Sequence, residues 1–179
     1  INVAPFAETW IDMVIGTLRS KYPNAKINFK NLALGGKTAA WGRDNLAKRL
    51  KFLDWKPDLM ILAFGGNDLA AGVTPENFGI YTQGIIDVLR NEANTNANPN
   101  AEVLLWSPKV NNPICTKYSV DKFLAFETAL EGIAAKKGFV APRGLWNPNL
   151  QKALEQLVHK VLEEGYSHEA ILSIVSRVE

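Results

Sequence analysis

Two short stretches carry the groups best suited to chemistry. In the first, the apolar run Leu59-Met60-Ile61-Leu62-Ala63-Phe64 stops abruptly at Gly65-Gly66-Asn67-Asp68. Paired glycines let a backbone turn sharply and admit a ligand closely. Asn67 then sets a neutral amide N–H donor at the rim, the kind of group that stabilises a developing oxyanion. The second stretch is Asn31-Leu32-Ala33-Leu34-Gly35-Gly36-Lys37-Thr38, whose glycines can aim backbone N–H groups into the same crevice as Asn67. Each stretch taken alone also reads as a plain strand-to-loop turn, where Gly, Asn and Asp are favoured. A phosphate cradle is discounted, because neither the GxGxxG nor the GxxxxGK[ST] spacing is present.

A hydroxyl that is to attack a substrate at neutral pH needs an adjacent base. The serines are Ser20, Ser107, Ser119, Ser167, Ser173 and Ser176, and none sits in a strained Gly-x-Ser-x-Gly turn. His159 falls on the polar face of its expected helix and reads as solvent-facing. His168 stands in a loop leading into the last expected helix and reads, by position alone, as a first-turn surface histidine. Asp44 and Asp68 lie near the crevice, but paired-carboxylate chemistry needs a second acid brought in by the fold. The single Cys115 excludes an internal disulfide and a multi-cysteine metal site. No metal or other cofactor is expected.

The elements that must position these groups alternate between strands and helices. Ala7 to Lys21 carries Trp10, Ile11, Val14, Ile15 and Leu18 at helical spacing, with Pro23 beyond its end. Ala25 to Leu34 reads as a strand, and Arg43 to Phe52 as a short helix with Leu46, Leu50 and Leu53 on one face. Leu59–Phe64, preceded by Pro57, reads as a strand buried on both faces of a parallel sheet. Thr74-Pro75-Glu76 starts a helix that runs to about Arg90, with Thr74 as N-cap and Pro75 in the first helical position. The Asn-rich segment Asn91 to Asn100 reads as a solvated loop. A strand at Glu102–Trp106, a helix at Val120–Lys137 closed by Gly138, and a short strand at Phe139–Ala141 complete this part. Alternation of this kind argues for a parallel sheet covered on both faces, and ligands of such sheets sit beyond the carboxyl ends of the strands.

The tail differs. Leu150, Leu154, Leu157, Val158, Val161 and Leu162 form one helical stripe ending near Gly165, a C-cap glycine. Ser167 then N-caps a second stripe of Ile171, Leu172, Ile174, Val175 and Val178, which gives an αα-hairpin without a strand. The expected division is therefore an α/β domain over residues 1–142 and a helical hairpin over 143–179, packed on it or appended to it. An apolar hairpin stripe also offers a surface for protein contacts.

The 179 residues suit one well-buried domain, with 47% hydrophobic side chains. With 20 basic and 18 acidic residues interspersed, and no basic stripe, nucleic acid is not an expected partner. No apolar run approaches the roughly 20 residues that span a bilayer. The chain opens at Ile1 rather than Met, which reads as a processed, trimmed or engineered boundary. The compartment stays open: a soluble protein, with a secreted or extracytoplasmic setting permitted.

Together the two stretches resemble blocks II and III of the SGNH (GDSL) hydrolases: Asn-x-x-x-Gly-Gly at Asn31–Gly36, then a strand ending in Gly65-Gly66-Asn67-Asp68. The likeness extends through Trp41-Gly42, Pro57-Asp58-Leu59 and Val103-Leu104-Leu105-Trp106-Ser107-Pro108, and covers about Val3 to Val140. The resemblance implies a three-layer α/β/α sandwich with a flavodoxin-like parallel sheet and an ester or acyl hydrolase activity. It also implies an oxyanion hole built from the Gly36 N–H and the Asn67 side chain, with Gly35, Gly66 and Asp68 as substrate-binding neighbours. The chain departs from the family in two places. It has no Gly-Asp-Ser block, and Ile1 to Phe6 resembles the segment that follows that block. At Gly165-Tyr166-Ser167-His168 the histidine matches the family's base, but glycine holds the position of the triad aspartate. In a sheet ordered 2-1-3-4-5 the absent first strand lies between the second and third, so two apolar edges are expected to stand unpaired.

Three functional readings follow. One is an SGNH-type ester hydrolase domain, truncated or rearranged so that part of its site, the nucleophile included, is not identifiable in this chain. Its substrate would be a small-molecule or carbohydrate ester, with an O-acyl sugar favoured by family habit. Another is a binding or assembly module that keeps the fold without turnover. The third is an engineered or recombined chain whose hairpin replaces the native ending.

Overall fold

The structure, a computed structural model, describes residues 10–106, 120–137 and 171–175. In chain order these form α1 (Trp10–Lys21), β1 (Asn28–Asn31), α2 (Ala39–Leu50), β2 (Leu59–Ala63), α3 (Gly66–Ala70), α4 (Pro75–Arg90), β3 (Glu102–Trp106), α5 (Val120–Lys137) and β4 (Ile171–Val175). The four strands make one parallel sheet in the order β1-β4-β2-β3.

The alternation of side chains along β2 builds two cores, one on each face. Met60 and Leu62 join Leu46, Leu50, Phe78, Ile85, Leu89 and Phe126, so α2, α4 and α5 cover one face. Leu59, Ile61 and Ala63 pack with Ile11, Ile15 and Leu18, so α1 covers the other. These layers are the α/β/α sandwich that the alternating pattern and the resemblance imply. All five residues of β2 are buried, and each fully buried Leu, Ile or Met contributes about 1.5–3 kcal/mol of transfer free energy. The β2–β3 ladder runs residue for residue from Leu59↔Glu102 to Ala63↔Trp106, which brings both strands out at the same edge.

Two close approaches fix how the helices sit. Gly42 of α2 lies so near the sheet that a Cβ there would stand 2.6 Å from Phe64 Cζ and 3.0 Å from Ile85 Cδ1. Between α2 and α4, Gly84 leaves room for the Arg43 side chain, whose guanidinium lies 4.8 Å from the Tyr81 ring centroid. Phe78 and Phe126 stack at 4.6 Å between α4 and α5.

The helix start at Thr74 is as expected: its hydroxyl accepts the Asn77 N–H, with Pro75 in the first turn. The Asn-rich segment is more than a solvated loop. The Asn96 amide donates to the carbonyls of Leu53 (2.6 Å) and Leu50 (3.2 Å), the Asn98 amide donates to that of Pro57, and Ala97 is buried between them. Asn96 adopts φ 58°, a left-handed conformation that asparagine tolerates better than most residues.

The tail departs from expectation where it is described. Ile171–Val175 is a strand, not the start of a second helix. It pairs in parallel with β1 (Asn28↔Ile171 to Asn31↔Ile174) and with β2 (Leu59↔Leu172 to Leu62↔Val175). The two edges expected to stand open are thus both paired. Residues 171, 172, 174 and 175 are Ile, Leu, Ile and Val, three of them β-branched. Such residues favour a pleated environment, and two waiting rows of N–H and C=O groups decide the matter. The stripe at Leu150–Leu162, the strand at Phe139–Ala141 and the proposed boundary near Pro142 lie outside the described residues.

Candidate active site

β1 and β2 both point their carboxyl ends at one edge of the sheet, and each opens into one of the glycine turns. After β1 the chain runs through Leu32, buried, to Leu34, Gly35 and Gly36, all exposed. Gly36 has φ +76°, a conformation costly for any residue with a Cβ. The turn feeds directly into α2, whose N-cap is Thr38: its hydroxyl accepts the Trp41 N–H at 3.3 Å. The helix therefore begins four residues before the expected Arg43, so the glycine turn is also the lead-in to a helix.

After β2, Phe64 and Gly65 pass into the short helix α3. Gly65 has φ 122°, so here too only glycine fits without strain. Gly66 and Asn67 are half-buried on the first turn of α3. The Asn67 side-chain amide donates to the carbonyl oxygen of Lys37 at 3.1 Å. One of its two N–H groups is thus used to hold it in place, which leaves a second donor on the same nitrogen. Gly36 is the residue before Lys37, about 3.8 Å away along the chain. The structure therefore brings Gly35, Gly36, Gly66 and Asn67 to the same place.

Asp68 stands apart from its neighbours. It has 0% exposure, and its two oxygens accept the Ala39 N–H at 2.9 and 3.2 Å and the Gly65 N–H at 3.2 Å. A side chain with no accessible surface cannot contact a substrate, so the expectation of Asp68 as a substrate-binding group is corrected. Burial pushes its carboxyl above the ordinary carboxylate range, opposed by the backbone hydrogen bonds it accepts. This role was missed because Gly-Asn-Asp reads as rim chemistry in sequence, while the partner at Ala39 is 29 residues away. Asp44 is exposed and paired with Arg43 at 2.7 Å, which holds its carboxyl below the usual range.

A basic and aromatic cluster borders the glycine turn. Lys37 Nζ lies 5.6 Å from the Trp41 ring centroid, and the Arg49 guanidinium lies 5.5 Å from the same ring. Arg49 also donates to the Leu32 carbonyl at 2.8 Å, tying the end of β1 to α2. His168, along with Ser107, Ser119, Ser167 and Ser176, lies outside the described residues. Among the described residues no group of His, Cys, Asp and Glu is arranged to hold a metal ion, and no helix is long and apolar enough to cross a membrane.

Residues 6–162 match the GDSL-like lipase/acylhydrolase family. The chain belongs to that family. Among solved structures, the SGNH-hydrolase family esterase AlinE4 superposes with a TM-score of 0.63, over 90% of this chain and 86% of that one, at 21% identity. A serine-to-alanine mutant of the same esterase matches equally well. At that identity the likeness establishes the SGNH fold and nothing finer. No curated protein matches the sequence.

Proposed function

We propose that this SGNH-family chain is a carboxylic ester hydrolase whose oxyanion hole is the Gly36 N–H together with the Asn67 side-chain amide. The observation that carries the reading is the hydrogen bond from Asn67 to the Lys37 carbonyl. It sets a rigid amide donor beside the glycine turn at the carboxyl edge of a parallel sheet, where ligands of such folds bind. Ester cleavage passes through a tetrahedral intermediate whose oxygen gains a full charge. Donors fixed in advance stabilise that charge without reorganising, and removing one costs about 2.7–4 kcal/mol in barrier.

The exposed glycines Gly35 and Gly36 and the half-buried Gly66 leave space for the acyl group, and exposed Leu34 adds an apolar wall. The substrate class proposed is a small-molecule or carbohydrate O-acyl ester, the latter by family habit. His168 is proposed as the base, on its match to the family's histidine. Asp68 is not among the substrate-binding groups of this proposal.

Hydrolysis of p-nitrophenyl acetate, run beside labelling with a serine-reactive fluorophosphonate, tests the reading. Turnover together with a labelled serine supports the enzyme and would identify the nucleophile, which no motif of the sequence marks. Neither turnover nor labelling, from protein with a folded circular dichroism spectrum, would leave a binding module instead.

A further inference from the structure

We infer that Asp68 is a positioning residue for the proposed oxyanion hole: its buried carboxylate clamps the Gly36 turn and the Asn67 turn into one unit. The inference rests on the reading of Gly36 and Asn67 as the donor pair. Asp68 adjoins Asn67 in α3, so whatever fixes Asp68 fixes the helical turn that carries the amide. One set of its bonds is local, to Gly65 at the start of that turn. The other reaches Ala39, the first residue of α2 and three residues beyond Gly36.

A purely local capping role leaves the second set unexplained. α2 already has a side-chain cap in Thr38, which takes the Trp41 N–H. Ala39 N–H is a different orphan donor of the same helix end, and a residue from another loop satisfies it. The two turns are then joined at two points, by Asp68 to Ala39 on the buried side and by Asn67 to Lys37 at the surface. Two ties fix a relative orientation where one would leave a pivot. Burial disfavours the charged form of Asp68, and the N–H bonds it accepts from Ala39 and Gly65 oppose that.

The test compares wild type, Asp68→Asn, Asn67→Ala and the double variant on p-nitrophenyl acetate, with 15N NMR of the Asn67 side-chain amide. Asp68→Asn keeps the shape but turns one acceptor oxygen into a donor group. The expected result is a fall in kcat of about 10- to 100-fold with KM changed less than about threefold, as for misplacement of a group by an ångström or less. The double variant should be no slower than Asn67→Ala alone, since both remove the same donor. An unchanged kcat in Asp68→Asn, or losses that multiply in the double variant, would overturn the inference.

Ala39→Pro offers a second route should Asp68→Asn not fold. It deletes the donor at a first-turn helical position that proline tolerates, after a Thr38 already extended at ψ 167°. It should lower kcat in the same way, and an unchanged kcat would count against the inference. If wild type shows no hydrolysis, the ester-hydrolase reading fails, and the NMR signal alone decides the positioning. In wild type the Asn67 amide protons should be shifted from random-coil values and slow to exchange. Asp68→Asn should move them toward random coil, and a spectrum unaltered at Asn67 would overturn the clamp.

Discussion

The side-chain amide of Asn67 donates to the backbone carbonyl of Lys37 across 3.1 Å, joining residues 30 apart in the chain. That bond ties the two glycine-bearing motifs to each other. It exists because β1 and β2 run parallel, with β4 between them, and release their chains at the same edge. The Gly36 and Gly65 turns then bend toward each other, in backbone conformations that glycine alone adopts without strain.

Asp68 makes stability depend on pH with a definite sign. Its folded carboxyl binds a proton more readily than the ordinary value, chiefly through burial. The folded state therefore holds more proton than the unfolded chain just above pH ~4. Stability from this group is fully present below the unfolded pKa and is lost as pH rises through the folded one. The Tm of wild type minus that of Asp68→Asn should fall as pH rises above about 4, and level off once the folded carboxyl has ionised. A difference that grows with pH across that range would contradict the assignment.

Gly42→Ala tests the seat of α2. The added methyl would meet Phe64 Cζ at 2.6 Å and Ile85 Cδ1 at 3.0 Å, and both neighbours are themselves buried. Overpacking of this kind costs about 1–3 kcal/mol. Urea unfolding should show a lower midpoint at constant m-value, by that loss of free energy divided by m. A midpoint equal to or above wild type would mean that the core gives way there at no cost.

Thr82 lies buried on α4, and its hydroxyl has no hydrogen-bond partner among the described residues. Thr82→Val swaps the hydroxyl for a methyl of similar size, and should stabilise by about 1 kcal/mol because no bond is lost. Calorimetry should register a Tm higher by about 2–4 °C. A lower Tm would reveal an acceptor for that hydroxyl.

Ser173 of β4 stands in register with Lys30 of β1 and Met60 of β2. Ser173→Pro removes an N–H from an interior strand, where proline is not accommodated. The variant should lose several degrees of Tm and aggregate as the sheet edges of β1 and β2 open. Unchanged thermal unfolding and solubility would show that residues 171–175 do not hold the sheet together.

Much of this fold is legible in the sequence because it is local. The caps at Thr74 and Pro75, the all-apolar run at Leu59–Ala63 and the helix at Val120–Lys137 follow from neighbours within a few residues. The C-terminal strand is not legible in that way. Ile171, Leu172, Ile174 and Val175 fit a helical stripe as readily as a strand, and only the distant edges of β1 and β2 choose between them. Asp68 shows the same limit from the other side. Gly-Gly-Asn-Asp announces a site, but the division of labour between an accessible Asn67 and a buried Asp68 depends on Ala39, which no local pattern links to it. Likewise the Asn-rich loop reads as polar, while its amides in fact bond Leu50, Leu53 and Pro57.

The central claim is that Asn67 supplies an oxyanion donor, and kcat/KM of Asn67→Ala on p-nitrophenyl acetate tests it most directly. The account predicts a fall of about 10- to 1,000-fold with the fold intact, as expected for loss of one such donor. A rate equal to that of wild type would remove Asn67 from the site and contradict the account.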